Sequence, residues 1–270
     1  MTFAWMTVLL AIAGVVVARP EGQPASGDQA NRGLDHIPIA VADLERAAER
    51  YRALGFALKP GRPHENGIRN EHAKFTDGTE LELITAPAAR DELTSTYRKH
   101  LAAGDGPAFL AFHVPAIGEA DRKSAPPYVF FGGLNRSPTD KPEHFAHPNG
   151  AEALIGVWLA DDDLSSERKL LQAMGATIER KGVRVPEAVT TDVARLFEDE
   201  VVLLPGRFQR VQGRRIVGAT VAVRNVETAR RLVEHAASVP MQGGSDAGSR
   251  SLFLPPDSTN GLWLELRQVR

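Results

Sequence analysis

The chain has 270 residues, 43% hydrophobic and 24% charged, enough to bury one large core or two modest ones. Thirty-two basic against thirty-four acidic side chains leave a net charge of −2, which argues against nucleic acid or an anionic membrane as a general partner, since both need a basic surplus. There is no cysteine, so disulfides, thiolate metal sites and cysteine nucleophiles are excluded, and chemistry falls to His, Asp, Glu, Asn, Tyr, Arg and Lys.

Phe3 to Ala18 carries no charged side chain and is bounded by Arg19-Pro20. An apolar run of that length suits the core of a signal peptide better than a full membrane span, which needs about 20 residues. Val16-Val17-Ala18 has the small-residue character of a cleavage site, although no Lys or Arg precedes the apolar stretch. Residues 1–18 are therefore read as a signal peptide or a membrane anchor, with a misassigned start as the bland alternative. The reading places the protein in an exported (periplasmic or extracellular) or membrane-anchored setting. Residues 19–32, rich in Gly, Gln, Ser and Asp, form a linker with almost nothing to bury. Folded structure is predicted to begin near Gly33.

From there a pattern repeats. His36 to Val41 reads as a strand, Asp43 as a helix N-cap, and Leu44, Ala47, Ala48, Tyr51 and Leu54 as one helical face that ends at Gly55. Phe56 to Leu58 is a short strand candidate. Asn70 to Phe75 and Thr79 to Ile84 form a hairpin around Asp77-Gly78. The order is βαβββ. A second unit, roughly 107–150, is degenerate: Phe109 to Val114 is a plausible strand, but Gly118 to Lys123 is too short and polar for a proper helix. In the third unit Leu154 to Leu159 is followed by a helix from Asp163 to Gly175, with the same cap-to-glycine spacing as the first, and by strands at Ala176 to Ile178 and Ala194 to Leu204. The fourth runs from Ile216 to Arg267 and closes on Leu264-Glu265-Leu266, as the first closes on Leu81-Glu82-Leu83. The expected fold class is α+β, repeated βαβββ modules forming curled mixed sheets, or cups, with helices on the outer face. The modules group as 33–152 and 153–270.

Strand periodicity sorts the side chains. Ile37, Ile39, Leu81 and Leu83 should face the helices, leaving His36, Asn70, His72, Lys74, Glu80 and Glu82 together on the opposite face. In the last unit the same face carries Gly218, Thr220, Trp263, Glu265 and Arg267. Leu34-Asp35-His36-Ile37, Arg69-Asn70 with the run Asp77 to Ile84, and His147-Pro148-Asn149-Gly150-Ala151 together resemble the vicinal oxygen chelate superfamily. That superfamily includes glyoxalase I, bleomycin-resistance proteins and extradiol dioxygenases; within it, these segments are most similar to glyoxalase-like domain proteins. The likeness spans most of the chain from residue 34. It implies a cup that holds a divalent metal (Zn, Mn, Ni or Fe) on a first-strand His and a last-strand Glu, positions taken here by His36 and Glu82, with Glu265 matching the closing Glu of a later module. The corresponding first-strand positions of the other units fall near Phe109, Gly156 and Gly218, which cannot bind metal. A third ligand would have to come from Glu265, His72 or the histidines of the second unit. Whether Glu265 can contribute depends on which modules pair.

The resemblance supports two function classes. One is a metal-dependent lyase or isomerase acting on a small α-oxo or vicinal-oxygen substrate, with Glu82, Glu265 or His72 moving the proton. The other is a metal-free protein that sequesters a small molecule, as bleomycin-resistance proteins do. Candidate ligand-binding residues are Asn70, His144, His147, Asn149 and Trp263, although Pro148-Asn149-Gly150 also has a plain use in reversing the chain. The partner expected is a small-molecule ligand, with no nucleic acid, and a homodimer stays open. Since residues 1–32 offer the core nothing, a chain starting at Gly33 should melt as cooperatively as the full chain and at the same midpoint in a thermal unfolding experiment.

Overall fold

A computed structural model describes residues 33–115, 117–133, 136–197, 199–235 and 250–269. The predicted signal or anchor and its linker lie outside the described residues. Among those described, no helix is long and apolar enough to cross a membrane.

The first module comprises β1 (Gly33–Ala40), α1 (Leu44–Ala53), β2 (Lys59–Pro60), β3 (Arg69–Lys74) and β4 (Glu80–Thr85). It is followed by a helix, α2 (Glu92–Leu101), and a short strand, β5 (Gly106–Pro107). The eroded second module keeps β6 (Leu110–His113), α3 (Glu119–Lys123) and β7 (Val129–Phe131). The third has β8 (Ala151–Ala160), α4 (Ser165–Ala173), β9 (Thr177–Val185), β10 (Glu187–Leu196) and β11 (Asp199–Leu204); the fourth has β12 (Ile216–Val223), α5 (Val226–His235), β13 (Ser251–Leu254) and β14 (Trp263–Gln268). One sheet runs β2-β3-β4-β1-β6-β7 with β5 also on β1, and the other runs β13-β14-β12-β8-β11-β10-β9. Both are curled, open and mixed, as the repeat predicts.

The local signals act as expected where the chain is repetitive. Asp43 accepts from the Arg46 amide, and Gly55 (φ 86°) ends α1 in the left-handed region that glycine tolerates. The hairpin turns at Gly78 (φ 99°). Asp163 accepts from the Ser165 amide, so it fixes the start of α4 from just outside the helix. Elsewhere the elements differ, with a strand running on to Val185 where Ala176 to Ile178 is expected and a short helix at Glu119–Lys123. The strand expected at Phe56 to Leu58 forms at Lys59–Pro60. Ala194 to Leu204 is two strands, because the chain reverses at Phe197 (φ 57°). Helix α2 carries a capping box, with Asp91 and Thr94 satisfying each other's backbone amides, where no element is predicted.

In each module the first strand lies parallel to the last, β1 on β4, β6 on β7, β8 on β11 and β12 on β14. Modules then join through their first strands, antiparallel: β1 to β6 and β8 to β12. First therefore pairs with second and third with fourth. The helix-facing sides of both sheets share one apolar core, in which Ile37, Leu83 and Tyr51 of the first half meet Leu154, Val221 and Leu264 of the second. At about 1.5–3 kcal/mol for each large side chain buried, this core dominates stability.

His147 and Asn149 tie the segment leading into β8 to the first module. His147 is 3% exposed; its Nδ1 accepts from the Ala57 amide at 3.0 Å and its Nε2–H donates to the Lys74 carbonyl at 2.8 Å. Both ring nitrogens are spent on backbone, the ring packs on Phe56 and Phe75, and burial lowers its pKa. Asn149, fully buried, donates to the Leu54 carbonyl and accepts from the Ala151 amide, against Gly55, where a Cβ would come within 2.9 Å of the Asn149 Cβ. Replacing His147 by Ala strands two buried backbone groups and opens space between two phenyl rings. It should cost about 2–4 kcal/mol in a urea unfolding curve without altering the charged face described next.

Candidate ligand cup

The concave face of the first sheet gathers the side chains that strand alternation predicts. Leu34, Ile37 and Ile39 point to the core and His36, Pro38 and Ala40 away from it, but the phase is reset by a bulge: Leu34 pairs with Phe112 and His36 with Ala111, leaving Asp35 extra. The bulge turns Asp35 to the same side as His36. His36 Nδ1–H donates to Asp35 Oδ1 at 3.0 Å, which leaves Nε2 directed at Glu82, 3.8 Å from Oε2. Glu82 Oε1 in turn accepts from Asn70 Nδ2 at 2.6 Å. One register step away, His72 Nδ1–H donates to Glu80 Oε1 at 2.8 Å, and Lys74 Nζ lies 3.7 Å from Glu80 Oε2 and 3.2 Å from Asp140 Oδ2. Lys59 completes the set at 2.5 Å from Asp140.

Most of these groups are out of water: Glu80 is fully buried, and Lys74, Glu82 and Asn70 are all buried. Burial alone would lower the pKa of His36, but the hydrogen bond and charge of Asp35, with Glu80 and Glu82 behind, outweigh it and raise the value to about 9. His72 follows the same logic: burial lowers, Glu80 and Glu82 raise, and the net shift is upward. Asp140 is held at about 2, since Lys59, the Ser137 amide and Lys74 together overcome its desolvation. A wall of rings stands beside this floor. Phe130 meets the His36 ring edge-on at 5.2 Å, Phe109 meets Phe130 at 6.2 Å, and Tyr97 of α2 meets Phe109 at 5.3 Å. With Ala40 and Ile84, Tyr97 forms a small apolar cluster, so α2 packs on the inner face of the sheet, unlike α1. Burial, helped by the charge of Glu82, raises the Tyr97 hydroxyl well above its usual range.

The structure brings together His36, Glu82, His72 and Asn70 and separates the other candidates from them. Glu265 is in the second sheet, so it cannot complete a site with His36. It occupies the matching register, beside Thr220 as Glu82 is beside Pro38, but its oxygens are filled by Thr220 Oγ1 at 2.8 Å, Ser251 Oγ at 2.5 Å, and the Arg267 guanidinium at 2.8 and 2.9 Å. Trp158 covers Gly218 and donates to Thr220, and Trp263 packs in the same apolar cluster as Trp158. His144 accepts from the Lys141 amide in a short turn at 142–145, on the loop that delivers Asp140. Sequence reasoning missed Asp35, Lys59, Tyr97, Phe109, Phe130 and Asp140. Only Asp35 had a local signal, as the carboxylate next to the histidine, and the bulge that aims it is set by β6.

A divalent ion is not matched by this face. His36 Nε2 and Glu82 Oε2 could supply two ligands, with Asp35 orienting the imidazole from behind as a metal-ligating histidine requires. Glu80 is occupied by His72 and Lys74, and the second module presents Ala111 and Phe130 to His36. Among the described residues no three His, Asp or Glu side chains come together in a way that could hold one ion.

Residues 34–126, about a third of the chain, match the family model described as a glyoxalase-like domain. Similar solved structures include a triple mutant of 4-hydroxymandelate synthase from Streptomyces coelicolor (TM-score 0.59, 11% identity, covering 89% of this chain and 93% of that one). A halotolerant catechol dioxygenase aligns at TM-score 0.54 and 11% identity over 88% of this chain and 87% of that one. A fusion of a xylose isomerase-like barrel with 4-hydroxyphenylpyruvate dioxygenase aligns at TM-score 0.58 and 12% identity over 88% of this chain, which spans 49% of the fusion's length. These likenesses establish the fold. No curated protein matches the chain.

The raised pKa of His36 has a definite sign. Its stabilising charge is complete below the unfolded value of 6.5 and is lost as pH rises through about 9. Urea unfolding should therefore show stability falling by roughly 2–3 kcal/mol between pH 6.5 and 9.5. His36→Gln should remove most of that slope.

Proposed function

We propose that the first cup binds a small molecule without a metal, its polar group on His36 and Glu82 and its body against Phe130, Phe109 and Tyr97. The observation that supports this reading is the pair Ala111 and Phe130 facing His36, an aliphatic and an aromatic side chain at the place where a second module would contribute a donor. What is left is an imidazolium beside a carboxylate, each steadied by its own partner, Asp35 and Asn70. Such a pair offers a hydrogen-bond donor and an acceptor 3.8 Å apart, the spacing needed to grip two neighbouring oxygens of a ligand. The aromatic wall supplies apolar contact area and Phe130, 37% exposed, stands at its open edge.

A second reading, a metal-dependent lyase or isomerase for a small α-oxo substrate, is favoured by the Asp35–His36–Glu82 line, which presents one imidazole nitrogen and one carboxylate to a common point. Elemental analysis with Zn, Mn, Ni and Fe titrations of the wild type, Glu82→Ala and Glu80→Ala separates the two. On the binding reading, none of the three proteins takes up a stoichiometric ion. One equivalent bound by wild type, retained by Glu80→Ala and lost in Glu82→Ala, would establish the metal and reject the binding module.

A further inference from the structure

A cleft of about 310 Å³ opens at the seam between the two halves, and neither His36 nor Glu82 lines it. Its walls come from α1, the turn before β5, the turn leading into β12 and the loop before β14. Three guanidinium groups line it, Arg50, Arg210 and Arg214, with Asp105 and Asp257 as the acidic neighbours, and Pro107, Ile216 and Val217 provide an apolar floor.

The charges are not equally engaged. Arg214 reaches across the seam to the carbonyls of His100, Gly104 and Asp105 at 2.5 to 2.8 Å, so its donors rest on neutral oxygens and its position is fixed. Asp105 is itself committed, accepting from the Ala42 amide and from Asn260 Nδ2. Arg50 donates to the Asp257 carbonyl at 3.1 Å, and Arg210 lies 2.9 Å from the Asp257 carboxylate, whose side chain is 81% exposed. An ion pair that exposed contributes little, so Arg210 can exchange it for another anion at small cost. Three cations over two anions, above an apolar floor, describe a receptor for a molecule with one anionic head and a hydrocarbon body.

We propose that this seam cleft is a second binding site, which takes a small amphiphilic anion with its carboxylate or phosphate head on Arg50, Arg210 and Arg214 and its apolar body on Pro107, Ile216 and Val217. Occupancy would bridge the two halves, since Arg50 and Pro107 belong to the first and the other four to the second.

Isothermal titration of the full chain with octanoate, octyl phosphate and inorganic phosphate tests the assignment. The two octyl compounds carry one body on the two candidate heads. Saturable 1:1 binding of either is expected, weakened about tenfold or more in the Arg50→Gln, Arg210→Gln double variant and in Val211→Trp, which narrows the cleft with a ring. Lys123→Gln, an exposed residue of α3 outside both sites, should bind as wild type does. Because the two cleft variants act by different means, one that loses its cooperative melt leaves the other to decide. Absence of saturable binding by both octyl compounds, or binding undiminished in a folded cleft variant, overturns the site. Inorganic phosphate binding where neither octyl compound does overturns the amphiphilic assignment.

Discussion

The antiparallel pairing of β1 with β6 decides what the rest of this molecule can do. A first strand in this architecture has its own last strand on one side, parallel, and another module's first strand on the other. Which module supplies that neighbour determines which carboxylates reach His36. Here it is the eroded second module, which brings Ala111 and Phe130 in place of ligands. The same pairing inserts the bulge at Asp35, and the bulge gives His36 its charged partner. A single strand contact thus both sets Ala111 opposite His36 and turns Asp35 onto its ring.

The two cups show how one repeat takes two electrostatic courses. Glu82 and Glu265 stand at equivalent register positions, each beside the first strand of its own module. Burying a carboxylate demands compensation by hydrogen bonds or an opposite charge. Glu265 receives both from fixed neighbours, Thr220, Ser251 and Arg267, and Arg267 extends the network to Glu200 at 3.4 Å. Among the described residues Glu82 receives one amide hydrogen bond and a histidine at longer range, which leaves bonding capacity on one side of its carboxylate.

A common apolar core runs through both halves, and polar groups cross between them, Asp199 to the Leu34 amide and Arg214 to the end of α2, while His147 and Asn149 tie the segment leading into β8 to the first module. Histidine and asparagine beside a Pro-Asn-Gly turn invite a functional interpretation, because such residues also build loops over ligands. Their burial and saturated hydrogen bonding place them instead where misalignment of that segment would leave backbone groups unpaired.

Much of this was legible from local pattern. The helix cap at Asp43, the turn at Asp77-Gly78, the twofold alternation along β1, β3 and β4, and the repeated Leu-Glu-Leu closure depend on neighbours a few residues away, so the sequence by itself determined the modules and the side chains that share the floor of the first cup. Other features were outside its reach. The partner of β1, the bulge at Asp35, the placement of α2 on the inner face and the arrival of Asp140, Phe109 and Phe130 all depend on contacts between residues distant along the chain. The Asp91–Thr94 box could announce that α2 begins, but not which face it would cover. Tertiary structure alone decided that Glu82 is available and Glu265 is not, because the difference lies in Ser251, Arg267 and Thr220 converging from three strands onto one carboxylate, and no local periodicity encodes that convergence.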